Sequence, residues 1–278
     1  MMRISQPQEV KRMADCLWQV KRRFAVNLTP AAFLIVCPML FLAGFVDAVG
    51  GGGGLISLPA YLFAGLPIHN AIATNKLSSA CGTSLATVRF IRKRMVNLRL
   101  AVPTIIFAML GSSAGANLSL HTSEKVMKYV LFAVLPAAAF CVLNRHLFPD
   151  GGEEEKEPDK RTYFAACVSA LIVGVYDGFY GPGTGTFLII ALTVFAKLGI
   201  VRANAQTKVI NLTTNITSLV IFLRSGQVIF ALGLAGAVFN MLGNYAGSGL
   251  VMSKGSKIAR PMILFVLALL LVKTAVEM

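Results

Sequence analysis

Two aspartates, Asp47 and Asp177, lie in otherwise apolar stretches of this 278-residue sequence. The other ten of its twelve acidic residues fall in tails, loops and a polar linker. A carboxylate buried in apolar surroundings needs a partner or a cavity, and it takes up a proton more readily than one in water. We therefore interpret Asp47 and Asp177 as candidates for carrying a coupling proton. The alternative is that they accept hydrogen bonds from nearby backbone N–H groups.

Two lysines, Lys76 and Lys208, form a second matched pair in more polar surroundings. Their neighbours carry hydroxyl or amide groups: Thr74, Asn75, Gln206, Thr207 and Asn211. Ammonium and amide N–H groups are hydrogen-bond donors, so this set is suited to binding an anion. The alternative is an Asp–Lys pair within each half of the chain that neutralises itself and holds helices together.

Two glycine-rich segments, residues 50–54 and 181–185, add further donors. Free backbone N–H groups at such breaks and at helix N-termini bind anions. The sequence therefore predicts an anion-binding site that comprises Gly51, Gly52, Gly53, Thr74, Asn75, Lys76, Gly181, Gly183, Thr207, Lys208 and Asn211. Neither segment has the context of a nucleotide-binding loop or a dinucleotide fingerprint, and no catalytic constellation accompanies them, so we do not expect an enzyme.

The elements that position these residues must be membrane helices. Hydrophobic residues make up 56% of the chain and charged residues 14%, against about 45–50% and about 25% in soluble domains. The net charge of +14 comes from 26 basic and 12 acidic residues. The basic residues lie between long apolar runs and are not clustered in a polar, soluble domain. The sequence therefore favours a lipid bilayer over nucleic acid as the partner.

Eight apolar runs are long enough to cross a bilayer as helices, which takes about 20 residues. They are 29–49, 71–91, 99–120, 126–147, 163–180, 203–223, 228–250 and 258–276. Two shorter runs, 54–66 and 183–197, each follow a glycine break. The predicted fold class is an all-α polytopic membrane protein with about eight transmembrane helices and two re-entrant half-helices. Ten full crossings is the other count we consider.

An internal repeat divides the chain. Asp47 matches Asp177 at an offset of 130, and Lys76 matches Lys208 at an offset of 132 that persists for about sixty residues. The predicted organisation is a basic amphipathic tail (1–27), a first transmembrane repeat (28–147), an acidic linker (148–162) and a second repeat (163–278). Two homologous halves with glycine-interrupted segments at matching positions are typical of secondary transporters, whose sites lie near the bilayer midplane.

The orientation depends on where the basic residues lie. The densest basic loop holds Arg89, Arg92, Lys93, Arg94 and Arg99, which places it in the cytoplasm. The preferred arrangement puts both chain ends and the acidic linker there too. The alternative is an inverted arrangement, a hairpin plus three spans in each half, which places Lys254, Lys257 and Arg260 inside and exports the basic tail.

The types and spacing of several other residues indicate structural roles. The five cysteines form no C-x-x-C pair and the three histidines are far apart, so we expect no metal and no cofactor. Small residues that recur along the helices are interpreted as helix–helix contacts. They are Gly82, Thr83, Ser84, Gly111, Gly115, Gly243 and Gly247. A homodimer is one assembly that the sequence leaves open.

At these motifs the chain resembles the sulfite exporter TauE/SafE family, and most closely its YfcA-like bacterial branch. The residues that carry the resemblance are 43–47, 51–54, Pro59, 71–77, 177–183, 208–211, 253–255 and 260–262. The resemblance implies a bacterial inner-membrane transporter that exports small sulfur-containing anions such as sulfite, sulfoacetate or thiosulfate, without an ATPase. We expect alternating access at a midplane site; the alternative is a passive anion channel or a permease for another small organic anion.

Overall fold

The computed structural model describes residues 30–123 and 158–255, together with positions 125, 126, 129, 257, 258, 261 and 262. That part of the chain contains eight α-helices and no strand. The predicted amphipathic tail lies outside the described residues. So do most of the acidic linker and nearly all of the predicted spans 126–147 and 258–276. Whether eight segments cross the membrane therefore stays a prediction.

The eight helices follow one another in two series of similar lengths. The first series is α1 (Pro30–Gly50), α2 (Gly54–Phe63), α3 (Ile68–Arg92) and α4 (Leu98–His121). The second is α5 (Lys160–Phe179), α6 (Thr184–Val194), α7 (Ile200–Arg224) and α8 (Phe230–Lys254). A homologous repeat requires such a succession, although the homology of the halves stays a prediction.

Helices α1, α4 and α5 are long and apolar enough to cross a bilayer. Helices α2 and α6 are apolar but only 10 and 11 residues long. Helices α3 and α7 have 25 residues each but are less apolar, because each buries a row of polar side chains. These two helices therefore carry the polar interior of the protein, while the apolar helices enclose it.

Glycines end α1 and α5 because the chain reverses there through left-handed backbone conformations. Gly51 follows α1 with φ +79°, and Gly181 follows α5 with φ +97°. Gly183 then precedes α6 with φ +81°. A residue with a Cβ is strained in this region, whereas glycine is not. The glycine-rich breaks predicted from the sequence are therefore the turns of two helical hairpins.

Close backbone contacts hold the two series together. A Cβ on Gly111 or Gly115 would overlap the backbone of Leu171 or Val175, so α4 lies directly against α5. In the same way α8 lies directly against α1, where Gly243 and Gly247 meet the backbone around Phe41 and Phe45. The prediction that these four glycines form helix–helix contacts is confirmed.

The residue pairs in contact also give the directions of the helices. Helix α8 runs parallel to α1, and α5 runs parallel to α4, because in both cases contacting residue numbers rise together. Helix α7 runs antiparallel to α3, since Asn70 bonds to the carbonyl of Gln227 while Thr87 bonds to that of Lys208. The loop 93–97 therefore shares one end of the bundle with the starts of α5 and α7 and the end of α8. We call this end the basic end.

Helix α1 begins at the opposite end of the bundle from the basic loop. The preferred arrangement, which placed the N-terminal end of the first span and the basic loop on the same side, is therefore wrong. The helix directions agree with the inverted alternative. Positive residues near both ends of the chain made the two arrangements hard to separate from charge alone.

Each short helix folds back along the long helix that precedes it. A Cβ on Gly53 would lie 2.5 Å from the carbonyl oxygen of Ala43, so the start of α2 packs on α1. The Tyr176 hydroxyl of α5 donates to the carbonyl of Pro182 at 2.7 Å, at the start of α6. The two hairpins enter the bundle from opposite ends, and their turns meet in its interior.

Candidate functional site

The two glycine-rich turns touch each other in the centre of the described bundle. A Cβ on Gly185 would lie 2.5 Å from both the Cα and the carbonyl oxygen of Gly51, so only a glycine pair permits this approach. The Thr186 hydroxyl donates to the Gly50 carbonyl at 2.7 Å. The Asn204 side chain donates to the carbonyl of Ala48 at 3.1 Å. Groups from α6 and α7 thus satisfy the carbonyls at the end of α1.

Two buried ion pairs flank this crossing point. Lys76 Nζ lies 2.7 Å from Asp177 Oδ2, and Lys208 Nζ lies 3.0 Å from Asp47 Oδ2. Each pair joins a lysine of one series to an aspartate of the other. The alternative of an Asp–Lys pair within each half is therefore wrong. The pairs lock the two series to each other.

The lysines make further contacts that hold them in place. Lys76 also donates to the side-chain oxygen of Asn215 at 3.2 Å. Lys208 also donates to the backbone carbonyl of Asp47. The Lys76 and Asp177 side chains are 2% and 3% exposed, whereas the Asp47 carboxylate is 11% exposed. The four charges sum to zero, so the site is electrically neutral as it stands.

A polar cavity of about 20 Å³ lies beside the ion pairs, with room for about one water molecule. The predicted site residues that line it are Asp47, Gly51, Gly53, Asn75, Lys76, Asp177, Gly181 and Asn211. A four-atom anion such as sulfite needs more space than one water molecule, so the cavity must widen to accept it.

Five predicted binding residues lie outside the cavity lining: Gly52, Thr74, Gly183, Thr207 and Lys208. The Thr74 hydroxyl accepts the backbone N–H of Ile229 at 3.0 Å, which fixes the loop before α8. Lys208 contacts Asp47, which lines the cavity, but Lys208 itself does not line it. Gly52 and Gly183 accept first-turn bonds of α2 and α6 from Leu55 and Phe187. The Thr207 hydroxyl is buried and has no hydrogen-bond partner among the described residues.

The cavity also has walls that sequence reasoning missed: Gly54, Ser79, Thr83, Thr184, Gly185, Asn215 and Asn240. Four residues follow the two lysines at spacings of three and seven, which places them on the same helical face. They are Ser79 and Thr83 after Lys76, and Asn211 and Asn215 after Lys208. Helical periodicity applied to the lysines finds all four.

Thr83 and Asn240 differ most from what the sequence predicts. Thr83 was expected at a helix–helix contact, but it lines the cavity and lies 3.5 Å from Asp47 Oδ2. Its neighbour Gly82 does form the contact, because a Cβ there would overlap the Asn240 side chain. No pattern in the sequence indicates Asn240, since α8 meets α3 only through the folding of distant segments.

Membrane-length apolar helices around a polar cavity with crossed ion pairs are typical of a helical membrane transporter. A sequence model described as "Sulfite exporter TauE/SafE" matches residues 36–274. The chain therefore belongs to the TauE/SafE family.

Curated relatives agree with this assignment. The chain is 36% identical to "Probable membrane transporter protein YfcA" of Escherichia coli K12, over 88% of this chain and 90% of that protein. It is 37% identical to a "Probable membrane transporter protein" of Haemophilus influenzae, over 80% and 86%. It is 34% identical to "Probable membrane transporter protein ORF9" of Sinorhizobium sp, over 84% and 88%. No solved structure matches the chain significantly.

Proposed function

We propose that this protein is a secondary transporter of small sulfur-containing anions such as sulfite, sulfoacetate or thiosulfate. The observation that carries the proposal is the crossed arrangement of Lys76–Asp177 and Lys208–Asp47 beside the polar cavity. The substrate class and the export direction follow the family description, sulfite exporter. The expected location is the bacterial inner membrane.

Anion binding uses the donors that face the cavity. Lys76, the Asn75 and Asn211 amides, and the first turns of α2 and α6 at the glycine breaks surround one small volume. Ammonium groups and the N–H groups of helix N-termini both stabilise negative charge. A bound anion replaces Asp177 as the partner of Lys76. The negative charge of the anion is then paired with a cation that is already in the site.

The neutrality of the site supports coupling to protons. An anion added to four charges that sum to zero leaves a buried net negative charge, which is costly in a membrane interior. A singly charged anion that enters with a proton on Asp177 or Asp47 leaves the site neutral, and a doubly charged anion does so with a proton on each. Coupled binding of anion and proton is therefore the expected mode, with Asp47 and Asp177 as the proton-carrying groups.

Alternating access fits the geometry better than a permanently open channel. The cavity holds about 20 Å³, and the backbones of Gly51 and Gly185 are in contact beside it. The two crossed ion pairs join the two series of helices, so breaking one pair on anion binding loosens one series from the other. This coupling of substrate to conformation is what alternating access requires.

Flux in proteoliposomes tests the proposal. Purified protein is reconstituted, and uptake of radiolabelled sulfite, thiosulfate and sulfoacetate is measured with and without unlabelled anion inside, with acetate as the carboxylate control. We expect saturable uptake that internal anion accelerates. Lys76→Gln should abolish it, while the same substitution at the exposed Lys93 should not. Uptake that stays linear with concentration, or that Lys76→Gln leaves unchanged, would contradict the proposal.

A further inference from the structure

A stripe of polar residues runs along α8 from the central cavity toward the basic end. Asn240, Asn244 and Ser248 recur every four residues and are 3%, 0% and 0% exposed. They face α3, where Gly82 leaves room for both asparagine side chains. Eight residues of α-helix span about 12 Å. Asn240 lines the cavity, so the stripe connects the cavity with the outer part of the bundle.

One polar group in the stripe lacks a partner within the described residues. The Asn244 amide nitrogen donates to the Asn240 side-chain oxygen at 2.9 Å, but the Asn244 side-chain oxygen is buried without any hydrogen bond. Buried polar atoms almost always bond to protein, water or ligand. An unpaired amide oxygen at the middle of a polar stripe therefore points to water or ligand passing between α3 and α8.

Arg89 of α3 closes the outer end of the stripe. Its guanidinium donates to the Ser248 hydroxyl at 2.7 Å and to the Tyr245 carbonyl, and it stacks over the Tyr245 ring at 4.0 Å. Three residues further along α3 the helix ends among the exposed cations Arg92, Lys93 and Arg94. The positive charge of Arg89 thus stands between the cationic surface and the amides of the stripe.

We propose that the α3–α8 interface is the route between the central site and the basic end, with Arg89 as its outer anion-selecting latch. The inference rests on the proposed anion transport. An arriving anion exchanges the Ser248 and Tyr245 contacts of Arg89 for its own oxygens, and Asn244 and Asn240 then pass it toward the cavity. A bidentate guanidinium suits the oxygens of a sulfonate or sulfite group.

The matched interface, between α4 and α7, offers no such route. The positions equivalent to Asn240, Asn244 and Ser248 at an offset of 132 are Ala108, Ser112 and Ala116, and the equivalent of Arg89 is Ile221. Ser112 is fully bonded inside the protein, to the Thr214 carbonyl at 2.8 Å and the Ser218 hydroxyl at 2.7 Å. These residues therefore serve as a natural control for the stripe.

Thiol labelling in the reconstituted full-length protein tests the route directly. Single cysteines are placed at Asn244 and Ser248, and at Ser112 and Ala116 as controls, after the five native cysteines are replaced. The reagents are an anionic and a cationic methanethiosulfonate of similar size, with rates normalised to those of a free thiol. We expect labelling at 244 and 248 only, with the anionic reagent favoured.

Arg89→Gln should reduce that anionic preference about fivefold, the equivalent of about 1 kcal/mol of partly screened charge interaction. Equal labelling at all four positions, or none at both 244 and 248, would overturn the route. An unchanged preference in Arg89→Gln would overturn the latch. Sulfoacetate should slow labelling at 244 and 248. If residues 244 and 248 are labelled but neither sulfoacetate nor thiosulfate slows the labelling, the route is supported and the proposed substrate class is contradicted.

Discussion

Removing one charge of the Lys76–Asp177 pair leaves the other buried without its partner, whereas removing both restores neutrality. The side chains are 2% and 3% exposed, so solvent screens the remaining charge very little. Breaking a buried ion pair costs about 3–5 kcal/mol. For a chain of this size each kcal/mol lowers the unfolding midpoint by about 2–4 °C, so Lys76→Gln or Asp177→Asn should lower it by about 6–20 °C. The double variant should recover most of this loss.

A matched double variant separates crossed pairing from pairing within a half. Lys76→Gln with Asp177→Asn removes one complete crossed pair. Lys76→Gln with Asp47→Asn makes the same two kinds of substitution and the same change in charge, but it leaves both Lys208 and Asp177 unpaired. Thermal unfolding of the purified detergent-solubilised proteins measures the difference. If the second double variant is the more stable of the two, the crossed pairing is refuted.

Three further predictions follow from other contacts. Gly185→Ala should abolish folding or transport because its Cβ would lie 2.5 Å from Gly51, whereas Gly199→Ala, where no atom lies within 4 Å of the new Cβ, should leave expression and flux at the level of the original protein. Thr186→Val should lower the free energy of unfolding by about 1 kcal/mol through loss of the bond to the Gly50 carbonyl, and Thr186→Ser should not. The Thr162 backbone N–H lowers the pKa of the exposed Asp159 carboxyl, so this N-cap stabilises α5 above the ordinary pKa of an aspartate and loses that effect as the pH falls through the lowered value. The difference in thermal stability between the original protein and Asp159→Asn should therefore change with acidification, and a difference that stays constant with pH would contradict the cap's titration.

The helices of the described part were largely predictable from the sequence. Each of the eight begins and ends within about four residues of the apolar run that predicted it, because crossing a bilayer demands length and apolarity that are visible residue by residue. The two short helices were predictable because each is an apolar run that directly follows a glycine break. The apolar surroundings of Asp47 and Asp177, and their matched lysines Lys76 and Lys208, also indicated charges that the structure buries and pairs.

The partners of those charges were not predictable from the sequence. The local sequence indicates that a lysine is buried. Which aspartate the lysine contacts depends on how distant helices pack against one another. Lys76 and Asp177 are 101 residues apart, and Lys208 and Asp47 are 161 apart. Asn240 was missed for the same reason, and Thr83 was assigned to a contact that its neighbour Gly82 makes. Small residues on a helix suit both packing and a cavity wall, so type alone did not separate the two roles.

The most direct test of the central claim is the number of protons taken up when an anion binds. Purified protein in weakly buffered detergent solution is titrated with thiosulfate, whose own charge does not change near neutral pH, while proton uptake and binding heat are recorded. Because the four buried charges sum to zero, the account predicts uptake of at least one proton for each anion bound, and loss of that uptake in the Asp47→Asn, Asp177→Asn double variant. Anion binding with no proton uptake would contradict it.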